Sequence, residues 1–290
     1  MPEPLIPPTL MVVFLGMLAT LGWGVGDFGG GLASRSAPVL GVLGGSQVAS
    51  LLVAVPLLLS RSEPSMTSTD ILISICGGLL GALGLALLYR GLSIGRMGVV
   101  APVAAVLTAT LPVVFGFWRD GIPSLLAIAG IGLAMGSVIL VSRAPQDEND
   151  ARPSGIGYAL AAGTTFGLFT ISASFLSKDA VVGPVVLIRV ASILAIAGFL
   201  LIRRGAWRVP RRYWPALFAV GVIDMGATAA YLGAISIGPL AIAAILASLY
   251  PVVTTILATV VLKERVTVGH AIGILAAAAA VVLIAGAEAV

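Results

Sequence analysis

Gln47-Val48-Ala49-Ser50 recurs as Arg189-Val190-Ala191-Ser192, again within a long apolar segment. Other matches follow at the same spacing to within one position: Ser34-Arg35 with Ser177-Lys178, Tyr89 with Tyr231, and Ser93-Ile94-Gly95 with Ser236-Ile237-Gly238. This spacing is close to half of the 290 residues. The chain is therefore a tandem repeat of one unit.

The composition is that of an integral membrane protein. Hydrophobic residues make up 59% of the chain and charged residues 10%, against roughly 25% charged in an average soluble domain. The formal net charge is +4, but the basic residues are scattered between apolar segments and form no stripe with aromatic residues. We therefore expect the lipid bilayer as a partner and no nucleic acid.

Ten segments are long and apolar enough to cross a membrane. A hydrocarbon core of about 30 Å needs roughly 20 helical residues, and a helix satisfies its own backbone polar groups in lipid. The predicted spans are 10–32, 38–59, 70–90, 98–118, 123–142, 155–177, 181–202, 213–235, 240–262 and 267–286. The predicted fold class is thus all-α integral membrane, with ten transmembrane helices.

Each half holds five spans, and five is an odd number. A second copy that starts on the opposite face of the bilayer is inverted relative to the first. We divide the chain into a first five-helix repeat at 1–142, a polar linker at 143–154 and a second repeat at 155–290. Inverted repeats are typical of secondary transporters, which bind their substrate near the middle of the membrane.

Glycine and proline predict close packing and flexible points. Glycines four residues apart let helix backbones approach closely in lipid, and they occur at Gly26 and Gly30, Gly41 and Gly45, Gly77 and Gly81, and Gly132 and Gly136. The run 22–31 holds six glycines, so we expect it to unwind or flex beside a polar cavity. Pro102 and Pro112 in the fourth span and Pro251 in the ninth predict kinks.

Three ionisable side chains, Asp27, Arg189 and Asp224, lie in the interior of predicted spans, away from their ends. Such a group costs about 3 kcal/mol in the bilayer centre unless it faces a cavity or a partner, so all three are candidates for proton coupling or substrate binding. In one interpretation Arg189 pairs with Asp224 or Asp27 as a structural ion pair. In the other, an acid left over takes up a proton near neutral pH, and Asp27 is preferred because it lies on the glycine-rich run.

Polar and aromatic residues within the spans are candidates to line the cavity. These candidates are Trp23, Ser46, Gln47, Thr108, Thr110, Thr164, Thr165, Phe166, Tyr231, Ser248 and Tyr250. A hydroxyl in a membrane helix often bonds back to its own backbone, whereas Trp23 and Tyr250 lie beside kinkable backbone and are preferred. Aromatic residues at span ends are expected to be interface anchors, namely Trp118, Trp207, Tyr213 and Trp214.

We expect no enzyme, no metal and no cofactor. The stretch 91–95 fits the Gly-x-Ser-x-Gly nucleophile pattern, but it ends a predicted span in a chain whose single histidine is His270, so the required elbow and triad are missing. No Walker loop or zinc-spaced pair occurs, and Cys76 alone excludes an internal disulfide. The N-terminus lacks the basic stretch of a signal peptide, so we expect the first span to be retained.

Basic residues are concentrated on one side of the predicted topology. Twelve of the 16 Lys and Arg lie by the odd-numbered connections, and three lie on the face that holds both termini. The positive-inside rule then predicts that both termini lie outside the cytoplasm.

Three short motifs accompany the two tandem five-span halves: Gly22-Trp23-Gly24 near the end of the first span, Tyr250-Pro251, and Lys263-Glu264-Arg265 between the ninth and tenth spans. Together they resemble the EamA family of the drug/metabolite transporter superfamily. The resemblance covers the whole chain as two EamA units and implies export of small metabolites such as amino acids or drugs. It also implies cytoplasmic termini, contrary to the charge count, and the orientation stays open.

The first half departs from this pattern at two places. Arg119-Asp120-Gly121 lies where the second half has Lys263-Glu264-Arg265, and Thr108-Ala109-Thr110-Leu111 precedes Pro112. Exporters of aromatic amino acids in this family carry aromatic residues before that proline, so an aromatic-specific substrate is not expected.

The sequence therefore predicts a monomeric, multi-pass protein of the cell inner (plasma) membrane. We expect it to export small organic metabolites by alternating access, with protons as a further partner. Two alternatives stay open: an uncoupled facilitator or exchanger of such metabolites, and a non-transporting membrane scaffold whose interior should pack dry.

Overall fold

The computed structural model describes residues 8–60, 63–95, 97–142, 155–178, 181–203, 206–262 and 268–287. Over these residues the chain forms eleven α-helices and one short 3-10 turn at Arg211–Tyr213, without any strand. The helices are α1 Pro8–Ser34, α2 Val39–Leu59, α3 Ser68–Ile94, α4 Met97–Asp120, α5 Leu125–Ser142, α6 Ile156–Ala173, α7 Val182–Arg203, α8 Trp214–Ile237, α9 Leu240–Ala247, α10 Tyr250–Leu262 and α11 Val268–Ala287.

Eight segments of the described chain are helical, long and apolar enough to cross a bilayer. They correspond to eight of the predicted spans, and the predicted spans 123–142 and 267–286, which form α5 and α11, are not among them. The all-α membrane fold is thus confirmed, while the count of ten spans stays a prediction. The predicted linker 143–154 and the Lys-Glu-Arg motif at 263–265 lie outside the described residues.

The outer surface of the bundle is apolar, as a lipid environment requires. Large hydrophobic side chains such as Phe14, Leu52 and Leu194 are more than 60% exposed in the middle of their helices. Trp118 at the end of α4 and Trp214 at the start of α8 are also exposed. Aromatic rings at helix ends suit the boundary between lipid and water.

The predicted ninth span, 240–262, consists of two helices. The chain turns at Ser248 and Leu249, between α9 and α10, directly before Pro251. Proline has no N–H group, and its ring crowds the carbonyl four residues earlier, so a continuous helix is unfavourable here. The Leu249 N–H instead donates to the Leu246 carbonyl at 3.1 Å. No such break occurs in α4, although that helix also contains two prolines.

The glycine-rich run lies within a continuous helix, so the expected unwinding is not found there. Its glycines instead let α1 approach three other helices closely. A Cβ atom on Gly22 would overlap Ala227 of α8, one on Gly24 would overlap the Tyr250 carbonyl of α10, and one on Gly30 would overlap the Tyr89 ring of α3. The run is therefore a packing surface.

Three of the paired glycines do not pack in this way. A Cβ atom on Gly81, Gly132 or Gly136 would meet no atom of the described structure within 4 Å. The packing expectation is therefore wrong at Gly81, and at Gly132 and Gly136 the described residues show no such contact.

The repeat in sequence is also a repeat in helix packing. On α3, a Cβ atom at Gly78 would overlap the Ile188 carbonyl of α7. On α8, a Cβ atom at Gly221 would overlap the Ser46 carbonyl of α2. In the register of the repeat, Gly78 corresponds to Gly221 and Ser46 corresponds to Ile188, each to within one position. The crossing of α3 with α7 therefore recurs as the crossing of α8 with α2, and the glycine is on a helix of the first half in one case and of the second half in the other.

Other helix pairs follow the same exchange. The contact of α1 with α8 recurs as that of α6 with α3, and the contact of α1 with α9 and α10 recurs as that of α6 with α4. The helices of the two halves are thus interleaved in one bundle. Each half buries its apolar surface mainly against the other.

Two carboxylates of the first half bind the connection between α6 and α7. Asp70, at the start of α3, accepts hydrogen bonds from the Ser177 N–H and hydroxyl, both at 2.8 Å. Glu63 accepts hydrogen bonds from the N–H groups of Val182 and Gly183, at 3.0 and 2.9 Å. Backbone donors at a helix start are stabilised by a carboxylate, so these contacts join the halves at one end of the bundle.

Substitution of Gly221 should strongly destabilise the protein, whereas substitution of Gly81 should not. Gly221→Val places side-chain atoms against the Ser46 backbone. Because backbone atoms cannot rotate away as a side chain can, we expect the free energy of unfolding to fall by about 1–3 kcal/mol. Gly81→Ala extends into open space and should change stability by less than about 0.5 kcal/mol. Thermal unfolding of the purified variants in detergent measures both. Equal stability of the two variants would contradict the close crossing of α2 and α8.

Candidate functional site

A cavity of about 60 Å³ lies inside the bundle, where helices of both halves meet. Its lining residues are Trp23, Asp27, Gly81, Leu85, Thr108, Phe166, Phe169, Thr170, Ile188, Arg189, Ser192, Asp224, Thr228 and Tyr250. A volume of this size has room for about four water molecules. A small organic molecule therefore needs side chains or helices around the cavity to move apart.

Both terminal nitrogens of Arg189 on α7 bind neighbouring residues. It is 4% exposed, and its Nη2 lies 2.8 Å from Oδ2 of Asp224 on α8. Nη2 also donates to the Thr228 hydroxyl at 2.7 Å, and Nη1 donates to Oε1 of Gln47 on α2 at 3.0 Å. A buried ion pair of this kind is held only when further hydrogen bonds satisfy both partners. Of the two acids considered from the sequence, Asp224 is the one that pairs with Arg189.

Asp27 of α1 is the acid left over. It is 7% exposed and lines the same cavity, yet no hydrogen bond or ion pair to its carboxylate exists among the described residues. The desolvation of an ionised carboxylate without a partner is strongly unfavourable, so such a group tends to bind a proton or a cation. The position of Asp27 against the cavity makes either possible.

Four titratable or charged groups face Asp27 from the helices around it. Asp224 and Arg189 line the cavity from α8 and α7, and Tyr250 lines it from α10. Tyr89 of α3 packs its ring end on α1 at Gly30, one helical turn beyond Asp27. Because Arg189 is bound to Asp224, it does not compensate the charge of Asp27.

The cavity has two walls that are related by the repeat. We define the polar wall as Trp23, Asp27, Asp224, Thr228 and Tyr250, on α1, α8 and α10, and the apolar wall as Gly81, Leu85, Thr108, Phe166 and Thr170, on α3, α4 and α6. Each member of one wall matches a member of the other in the register of the repeat, to within one position: Trp23 with Phe166, Asp27 with Thr170, Gly81 with Asp224, Leu85 with Thr228, and Thr108 with Tyr250. Both carboxylates of these pairs, Asp27 and Asp224, lie on the polar wall.

Seven of the residues proposed from the sequence lie at this cavity: Asp27, Asp224, Arg189, Trp23, Thr108, Phe166 and Tyr250. Gln47 lies behind it, where it binds Arg189. The hydroxyls of the other Ser and Thr candidates donate to a carbonyl three or four residues earlier in their own helix and do not line it: Ser46, Thr110, Thr164, Thr165 and Ser248. Thr164 is also exposed on the outside of the bundle.

Seven lining residues were not proposed from the sequence: Gly81, Leu85, Phe169, Thr170, Ile188, Ser192 and Thr228. Some of them could have been identified because they correspond, in the register of the repeat, to a charged residue of the other half. Asp27 corresponds to Phe169 or Thr170 in that register, and Asp224 corresponds to Gly81. Small and apolar residues carry no chemical signal of their own, so only their positions relative to the charged residues could have identified them.

Tyr231 lies between this cavity and a second pocket at the end of the bundle. Its ring is fully buried and packs on Trp23, with 5.3 Å between the ring centroids. The end pocket has a volume of about 390 Å³ and a polar lining that includes Arg119, Asp120 and Lys178. Leu232, the residue after Tyr231, also lines it. Tyr231 thus contacts a residue of the cavity and is followed in the chain by a residue of the end pocket.

Comparison with known proteins agrees with this architecture. The model of the EamA-like transporter family matches residues 153–286. A solved crystal structure shares the fold with a TM-score of 0.70 at 16% sequence identity, and the match covers 95% of each chain. A search of the curated proteins found no match.

The apolar exterior, the spanning helices and the family match define a multi-pass membrane transporter of the drug/metabolite kind. The family match covers the second half of the chain. The resemblance noted from the motifs is therefore confirmed over that half. Members of this family are transporters and not enzymes, in agreement with the expectation from the sequence.

Proposed function

We propose that this protein is a secondary transporter of the cell inner membrane that exports small organic metabolites in exchange for protons. The observation that carries the proposal is the carboxylate of Asp27, which is buried at a cavity without a partner among the described residues. Such a group exchanges a proton for another ligand more readily than one that is held in an ion pair. The proposed partners are a small-molecule substrate, protons and the bilayer, and the proposed state is a monomer.

The exchanged packing of the two halves supports alternating access. In the proposed topology, ten spans form two inverted five-helix repeats. The two walls of the cavity consist of repeat-related helices, so a second arrangement in which they exchange conformations makes similar contacts. Two arrangements of similar free energy are what a transporter needs to expose one site to each side in turn.

Two repeat-related tyrosines are suited to close the cavity at its two ends. Along α1, Trp23 contacts Tyr231, and Gly30 contacts Tyr89. Asp27 lies between these contacts, which are separated by about 10 Å at 1.5 Å per helical residue. Movement of one tyrosine away from α1 would open one end while the other stays closed.

The alternatives considered from the sequence are less well supported. A non-transporting scaffold should pack its interior dry, whereas this interior contains a cavity that is lined by Asp27, Arg189 and Asp224. An uncoupled facilitator would use both acids only to hold Arg189, but of the two only Asp224 pairs with it among the described residues. Asp27 is therefore free for coupling.

Transport assays in liposomes test the proposal. We expect that purified protein, reconstituted with an internal pH-sensitive dye, will couple the movement of at least one of a set of amines, amino acids and organic carboxylates to an imposed pH gradient. Protein-free liposomes are the control. Flux that is the same with and without the gradient would support the uncoupled facilitator instead, and lack of flux for the whole set would contradict the proposal.

A further inference from the structure

We propose that the cavity binds organic amines, with one protonated nitrogen and an apolar or aromatic body, in preference to amino acids. This inference rests on the proposed transport function and specifies its substrate class. It depends on the pairing among the described residues of the cavity, which leaves a free anion and no free cation.

The binding group for the nitrogen is Asp27. Its carboxylate lines the cavity and has no partner among the described residues. A protonated amine donates charge-assisted hydrogen bonds to such a carboxylate, and these are among the stronger interactions in proteins. The amine would also replace the missing counter-charge of Asp27.

A substrate carboxylate would find no free cationic side chain in the described part of the cavity. Both terminal nitrogens of Arg189 are bound to Gln47, Asp224 and Thr228. Its Nε has no partner in the described structure but is itself buried. A carboxylate would instead meet the negative charges of Asp27 and Asp224, so an amino acid is disfavoured relative to the corresponding amine.

The walls of the cavity match the rest of such a molecule. Leu85, Phe166 and Phe169 present apolar surface from α3 and α6. Trp23 and Tyr250 flank Asp27 with aromatic rings, and an ammonium group is attracted to the face of such rings. Gly81 leaves open space at the wall. An amine with its ammonium group at Asp27 and its apolar body toward Gly81 would contact both walls.

A proton and an amine would compete for the same carboxylate. The amine binds the ionised form of Asp27, so its affinity falls as the pH is lowered and the proton occupies the site. Asp224, Arg189, Tyr89 and Tyr250 also face Asp27, and among them only Arg189 is cationic and is already paired. Exchange at one carboxylate would couple amine export to proton entry.

Four compounds with the same phenylethyl body test this inference: phenethylamine, phenylalanine, 3-phenylpropionate and 2-phenylethanol. Binding to the full-length protein in detergent is measured by calorimetry and by the shift in unfolding temperature. We expect phenethylamine to bind roughly tenfold or more tightly than the other three, the effect of one charge-assisted contact. Its affinity should be lower at pH 5 than at pH 8.

Asp27→Asn should remove the preference for phenethylamine over 2-phenylethanol. Asp120→Asn removes a carboxylate at the end pocket and is the matched control, which should keep the preference. If a variant does not fold, the comparison of the four compounds on the unaltered protein decides. Equal or tighter binding of phenylalanine would overturn the amine assignment and leave the transport function standing. An unchanged preference in Asp27→Asn, or no binding of phenethylamine, would also overturn it.

Discussion

Asp27→Asn is expected to reduce pH-driven transport to the level of protein-free liposomes, and Asp27→Glu is expected to retain pH dependence. Asparagine fills nearly the same space but neither ionises nor binds a proton in this pH range. Glutamate restores a carboxylate on the same helix. Flux is measured with the reconstituted protein under an imposed pH gradient, for any compound that the unaltered protein transports.

The stability of Asp27→Asn separates a role in coupling from a role in folding. The carboxylate has no partner in the described structure, so its removal deletes no hydrogen bond or ion pair there and relieves the desolvation of a buried charge. The variant should therefore unfold at the same temperature as the unaltered protein or at a higher one. If flux driven by the pH gradient is unchanged in Asp27→Asn, coupling through this residue is ruled out.

Arg189→Met is expected to have the largest effect on stability. It leaves the Asp224 carboxylate without its partner at 2.8 Å and removes the hydrogen bonds to Gln47 and Thr228. Breaking a buried ion pair from one side costs about 3–5 kcal/mol, and the lower end applies because Asp224 is partly exposed to the cavity. Unfolding in detergent, followed by heat or by denaturant, measures the loss.

The double variant Arg189→Met with Asp224→Asn distinguishes an ion pair from simple packing. Because it removes both charges together, it should be more stable than Arg189→Met alone. Gln47→Leu is the matched control on the other side of Arg189; it removes one hydrogen bond to a charged group and should cost about 1.5–3 kcal/mol. Losses that simply add in the double variant would show that the two charges do not stabilise each other.

Helix positions were predictable because they depend on local properties of the chain. A run of apolar residues long enough to cross a bilayer has to be helical in lipid, and the first predicted span, 10–32, agrees closely with α1 at Pro8–Ser34. The division of the ninth span at Ser248 and Leu249 follows from Pro251, although the sequence indicated only a kink there.

The glycine-rich run illustrates where local reasoning fails. Frequent glycine weakens a helix in isolation, and the expectation of unwinding followed from that. In the bundle, the same residues allow α1 to approach Ala227, the Tyr250 backbone and Tyr89, and this packing favours the helical form. The glycine content is the same in the isolated helix and in the bundle, so contacts with neighbouring helices determine whether the run stays helical.

Membrane insertion, the repeat and the identity of the three ionisable residues in the interior of the spans follow from the order of amino acids alone, because hydropathy and self-similarity are properties of the chain. The pairing of these residues does not. Asp224 follows Arg189 within the second half, and Asp27 lies in the first half, but neither position indicates which acid Arg189 meets. Interleaving of the halves places α7 beside α2 and α8, so Arg189 binds Gln47 and Asp224. Asp27 is left unpaired among the described residues of the cavity because helix packing, rather than sequence separation, determines which charges are close enough to interact.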